Sequence, residues 1–207
     1  MKIGIVSHYY NSTNYGGNLQ AYALCEILRR MGYDSEQICF PFYKNPHIKM
    51  KIMDKLSIRI KETIVYSIDW IKHPVYHNKL RIRKKAMIKF RNELIPHSKE
   101  IFTMKTLSDA IDDYQIFITG SDIVWGPKVH SPFFFLNFVP SEIPKFSYAA
   151  SLGTNELTEK EKEEFKRDLS GYQDISVREV TVVPMLAEVL QRKISLCVDP
   201  TLLFFRR

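Results

Sequence analysis

A chain of 207 residues can bury a sizeable core in one large domain, and an apolar content of 45% marks it as globular, not disordered. Its 30 Lys and Arg against 23 Asp and Glu give a net charge of +7, and no run of about eighteen apolar residues exists that would cross a membrane. Cys25, Cys39 and Cys197 are odd in number and lack metal-ligand spacing, so buried thiols in a reducing cytoplasm are expected, with no metal.

The start, Met1-Lys2-Ile3-Gly4, has too short an apolar run for a signal peptide before His8 and Asn11 intervene. The pattern predicts a strand over Lys2–Tyr9, a Gly-Gly loop, and a helix over Asn18–Met31 that Gly32 stops. Strand, small-residue turn and helix form the unit that presents free helix N–H groups to a ligand in α/β folds. Gly16 and Gly17 let the backbone turn sharply and a ligand approach, while Asn11, Ser12, Thr13, Asn14 and Tyr15 crowd hydrogen-bonding side chains just before them. A tight turn with no ligand is the competing reading. A strand over Ser35–Phe40 follows, and Pro41 and Pro46 break the pattern.

Between Lys44 and Lys105 lie 16 Lys and Arg against 5 Asp and Glu, so one segment carries the basic character. From Lys49 to Leu94 it is helical in character, interrupted at Pro74, and reads as an insertion or helical pair. Arg81, Arg83, Lys84, Lys85, Lys89 and Arg91 fall on one such helix. A solvated face explains such a run, and so does contact with anionic lipid headgroups or a polyanionic glycan. No zinc-finger spacing, RNA-binding aromatic motif or recognition helix accompanies the charge, so no nucleic acid is expected.

A second α/β stretch begins with a short helix at Leu107–Asp113 and a buried strand over Tyr114–Thr119 that runs into Gly120-Ser121-Asp122. After the aromatic segment Phe133–Val139 come a strand at Phe146–Ser151 and a helix at Glu156–Ser170, where Thr158 and Glu161 make a capping-box pattern. Strand Ile175–Arg178, helix Thr181–Gln191 and strand Ile194–Val198 complete the chain before Asp199-Pro200-Thr201. Strands alternating with helices predict a parallel sheet, whose ligands bind at the carboxyl edge near a topological switch point. Four polar loops gather there: Asn11–Asn18, Gly120–Gly126, Ser151–Thr154 and Ser176–Glu179.

Those loops also carry a resemblance. Asn14-Tyr-Gly-Gly-x-Leu-Gln-Ala-Tyr-Ala-Leu, Gly120-Ser-Asp-x-Val-Trp, Phe134-Phe-Leu-x-Phe-Val, Ser147-Tyr-Ala-Ala-Ser-x-Gly, Ile175-Ser-Val-Arg-Glu and Val198-Asp-Pro-Thr-Leu-Leu occur in this order. Together they are similar to the polysaccharide pyruvyl transferase family across nearly all the chain except the basic insertion. The resemblance implies an α/β fold, a Rossmann-like parallel sheet with helices on both faces, as one half of a glycosyltransferase-B-like architecture. On that reading residues 1–207 form the first domain, with the basic insertion at about 44–105, and the second domain is absent. It also implies that phosphoenolpyruvate gives its enolpyruvyl group to two hydroxyls of a sugar, forming a ketal in bacterial surface-glycan biosynthesis, with no cofactor. The partners implied are phosphoenolpyruvate and a glycan or lipid-linked oligosaccharide acceptor, for a cytoplasmic protein peripheral at the inner face of the membrane. Relatives tend to carry Asn-x-Gly-Asp-Glu where this chain has Asn14-Tyr15-Gly16-Gly17-Asn18, so the roles of those two carboxylates do not transfer. With the second domain missing, little or no transfer is expected from this chain alone. A non-catalytic glycan- or lipid-binding module and a nucleotide-sugar glycosyltransferase are the alternatives.

The resemblance places a phosphoenolpyruvate-binding arginine at Arg178, where a structural pair with Glu179 is equally compatible with the sequence. Asp122 suits a base or an orienter of an acceptor hydroxyl, and equally a cap for the next helix. His8 ends the first strand, where a general base or a structural imidazole would stand. Asn14, Gly16, Gly17, Gln20 and Ser121 are candidate substrate contacts, with Gln20 alternatively bracing the loop. Trp125 offers an indole face for a sugar ring or for core packing. Asp199 before Pro200 reads as an exit-turn residue.

Overall fold

The computed structural model describes residues 1–41, 69, 71–127 and 130–205. Five strands form one all-parallel sheet in the order β3-β2-β1-β4-β5: β1 (Lys2–Val6), β2 (Asp34–Cys39), β3 (His97–Ile101), β4 (Ile116–Thr119) and β5 (Lys145–Ser147). Two short parallel strands, β6 (Ser176–Val177) and β7 (Ser195–Leu196), continue beyond β5 through bridges from Phe146 to Asp174 and from Ala150 to Val177. Helices surround the sheet, as the alternating sequence pattern predicts.

The central strand β1 shows why the sheet must be covered on two faces. Ile3 and Ile5 pack with Leu24 and Cys25 of helix α1 (Tyr15–Arg30), while Val6 joins a larger cluster with Phe117, Trp125 and Phe133. Successive side chains point to opposite faces, so a strand apolar at nearly every position is buried twice. The second cluster is fed by the aromatic run Phe133–Phe135 and by helices α3 (Glu159–Leu169) and α4 (Val182–Leu190) through Phe165 and Leu186. Thr158 and Glu161 make the reciprocal capping box that their spacing predicts, which starts α3 at Glu159 and not at Glu156.

Two expectations need correcting. Helix α1 starts at Tyr15, so Gly16 and Gly17 form its first turn instead of a loop. Its start is drawn forward by Asn14, whose side-chain oxygen accepts the Gly16 N–H at 2.9 Å. Strand β3 lies inside the segment read as a basic insertion; as a polar edge strand, largely exposed beyond Ser98, it has no alternating apolar signal. Of the expected helical stretch, the part before Pro74 lies outside the described residues save 69 and 71–73, and the rest is helix α2 (Pro74–Leu94). Cys25, Cys39 and Cys197 are free; Cys25 is buried, and burial pushes its thiol up to about 12.

The junction after β4 depends on one residue lacking a side chain. Gly120 has φ +130°, and a Cβ there would lie 2.1 Å from the Tyr148 carbonyl oxygen. Gly120→Ala is therefore expected to lower unfolding stability by about 2–4 kcal/mol, read as the midpoint shift in urea denaturation. Gly32→Ala, also at positive φ but in open space, should cost about 1 kcal/mol.

Candidate functional site

The strand order reverses between β1 and β4, and the loops leaving their carboxyl ends flank the crevice where open α/β sheets receive ligands. On one side stands the start of α1. Asn18 is fully buried there, and its amide donates to the carbonyls of Ser12 at 3.2 Å and Asn14 at 2.8 Å, pinning the preceding loop. Gly17 permits the close approach: a Cβ on it would lie 3.0 Å from Asp122 Oδ2 and 3.0 Å from the His8 carbonyl. The first strand end, the β4 loop and the helix start thus converge on one point.

Asp122 Oδ1 accepts the Ile123 N–H at 2.8 Å, and its backbone carbonyl accepts from Val124 and Ser151. Among the described residues no helix follows directly for Asp122 to cap; one carboxylate oxygen is used within its own loop, and the other faces Gly17. The His8 ring lies against Phe134, with centroids 4.0 Å apart.

Arg178 follows β6 and reaches across to the β4 loop. Its Nη1 donates to the Ser121 carbonyl at 3.1 Å and to Asp199 Oδ2 at 3.2 Å, while Nε stands 3.9 Å from Glu179. The partner of Arg178 is therefore Asp199 more than its sequence neighbour. Glu179 instead accepts from the Ser151 hydroxyl. Asp199 Oδ2 also accepts from the Gln20 amide, and Oδ1 accepts from Thr201 N at 3.0 Å and Thr201 Oγ1 at 2.6 Å. Sequence reasoning saw the turn made through Thr201 and missed the junction. The available signal was the position of Asp199 at a strand's carboxyl end, on the same sheet edge as the four polar loops.

The polar atoms around this junction are incompletely satisfied. Among the described residues, five buried side-chain polar atoms lack a hydrogen-bond partner, and four of them belong to Asn18, Gln20, Ser121 and Glu179. Buried polar groups are normally paired, so this concentration marks the crevice as a place where folding was not optimised for its own stability. A cleft of about 560 Å³ borders the same loops, lined by Ile123, Leu152, Thr154, Glu156 and Glu161 among others. Among the described residues no cationic side chain lines it. No cluster of three or more His, Cys, Asp or Glu among the described residues could hold a metal ion.

Trp125 does not belong to the site. It is fully buried, its indole N–H donates to the Phe134 carbonyl at 3.1 Å, and it stacks on Phe135. No sugar can reach its face. The aromatic run that follows it drew the indole into the core, since burying that much apolar area outweighs a place on the rim.

A family model described as polysaccharide pyruvyl transferase matches residues 14–206. The chain belongs to this family. The match begins at Asn14, the cap of α1, and extends past Asp199, so every loop of the crevice except the β1 end lies within it. No curated protein and no solved structure matches the chain. Membership in the polysaccharide pyruvyl transferase family makes the protein a transferase with a sugar or glycan acceptor.

The Asp199 junction yields a stability test. Asp199→Ala leaves Arg178 without its carboxylate and frees Gln20 and Thr201, and should lower unfolding stability by about 2–3 kcal/mol in urea titration. Thr201→Ala removes one of these bonds and should cost about 1 kcal/mol. Equal effects from the two would mean that Asp199 serves the turn alone.

Proposed function

We propose that this protein takes part in transferring the pyruvyl group of phosphoenolpyruvate to two hydroxyls of a sugar, as a ketal, in surface-glycan biosynthesis. The observation that carries the reading is Arg178, held at the switch-point crevice by Ser121 and Asp199 through one nitrogen only. Among the described residues its Nη2 makes no hydrogen bond, which leaves a guanidinium edge for a carboxylate or phosphate.

In this reaction the methylene carbon of the donor gains a proton and becomes a methyl group. The central carbon bonds two acceptor oxygens, and its bond to the phosphate oxygen breaks. Of the two protons the hydroxyls lose, one ends on the methyl carbon and the other leaves with phosphate. A cation must hold the donor, and a carboxylate or imidazole must move protons. Arg178 is assigned the first role and Asp122 and His8 the second; the Asp122 carboxylate and the backbone carbonyl of His8 both border Gly17. Asn14, Gly16, Gly17, Gln20 and Ser121 form the surrounding wall, with Asn14 and Gln20 partly committed to the α1 cap and to Asp199.

Isothermal titration of phosphoenolpyruvate into this chain tests the assignment. Binding is expected for the wild type, with a loss of about tenfold or more in Arg178→Ala. Equal binding by both proteins would remove Arg178 from the donor site. Absence of binding by the wild type would remove the donor site from this chain.

A further inference from the structure

Helix α2 uses its basic residues in two different ways. On its inner side His77, Met87 and Arg91 are buried, Phe90 meets Tyr22 edge-on, and Arg91 lies over the Tyr10 ring. Arg83 donates to the Thr13 carbonyl at 3.1 Å and lies 4.5 Å from the Tyr15 ring centroid. These two arginines brace the loop that leads into α1, and they are spent within the protein.

The opposite side has no such partners. Val75, Lys79, Ile82, Ala86 and Lys89 recur at spacings of four, three, four and three, which places them on one helix face, and all are exposed. Val75 is 68% exposed and Ile82 58%, with Tyr76 and Ile71 also exposed nearby. Lys85 flanks the stripe, Lys72 lies just before the helix, and both are exposed as well. None of these four cations, Lys79 and Lys89 included, has an ion pair among the described residues. The one acidic residue on the helix is Glu93, in its last turn.

A solvated face would carry mixed charges and few large apolar groups; this one alternates unpaired lysine with Val and Ile. We propose that the outer face of α2 docks the protein on a membrane surface rich in anionic phospholipid. Lysine ammonium groups meet the headgroup phosphates, and Val75 and Ile82 enter the boundary between headgroups and acyl chains. No helix among the described residues is long and apolar enough to cross a membrane, so the contact is with the surface. A single-sign, extended patch complements a continuous anionic surface, and the exposed aliphatic residues distinguish a bilayer from a purely electrostatic partner such as nucleic acid or an acidic glycan. The inference goes beyond the transfer reaction and does not depend on it.

Vesicle sedimentation of this chain provides the test, with phosphatidylcholine alone and with about one third phosphatidylglycerol. The wild type should sediment with the anionic vesicles, stay in solution with neutral ones, and be released by salt. Val75→Asp combined with Ile82→Asp, and separately Lys79→Glu combined with Lys85→Glu and Lys89→Glu, should each weaken binding about tenfold or more. All five positions are exposed, so unchanged thermal melts would show both variants folded. Wild-type protein that stays in solution with anionic vesicles overturns the proposal. So does binding that survives the two aspartates, which would reduce the contact to charge alone and point to a soluble polyanion.

Discussion

The Asp199 carboxylate is the interaction on which the crevice depends. With two oxygens it joins three parts of the chain that are remote in sequence: Gln20 on α1, Arg178 after β6, and Thr201 in the 3₁₀ turn Pro200–Phe205. Arg178 in turn holds the Ser121 carbonyl on the β4 loop. A carboxylate saturated by charged and neutral donors sets where the guanidinium can point, because the bond to Asp199 and the bond to Ser121 both use Nη1. The short strands β6 and β7 contribute little pairing of their own, so this polar tie and the packing of α4 carry much of the order at that end of the sheet.

The helix-and-strand alternation was legible because β1, β4 and their flanking helices have strong, opposite periodicities. What escaped was set by tertiary context. The sequence His97-Ser98-Lys99-Glu100-Ile101 reads as nothing in particular, yet it becomes β3 because β2 offers an unpaired edge and Ser98 donates back to its own strand while accepting from Cys39. Trp125 looks identical in sequence whether it faces a cleft or a core; the neighbouring phenylalanines decide, and they lie on a different loop. Asp122, Arg178 and Ser121 were visible as strand-end polar groups and Gln20 as a polar residue inside the first helix, and the fold brings them to one edge of the sheet. The link between them was invisible, since nothing in the chain before folding associates Gln20 with a residue 179 positions away.

The basic segment shows a similar division within one helix. Arg83 and Arg91 lie over tyrosine rings and a loop carbonyl, so their charge is spent on internal structure. The lysines on the other face make no such contacts. A charge count treats the two groups alike; only the angular position about the helix axis separates bracing from display.

Gly17 and Asp122 are best understood as a matched pair. Gly17 lies in the first turn of α1. Here that position has no side chain, and the space beside it is bounded by Asp122 Oδ2 at 3.0 Å from where a Cβ would stand. An aspartate at residue 17 would bring a second negative charge against the first in a partly buried crevice, and the two could not both remain ionised without cost. The glycine therefore does more than allow a turn. It leaves the β4 loop to supply the carboxylate at the start of α1, where the helix N-terminus favours negative charge.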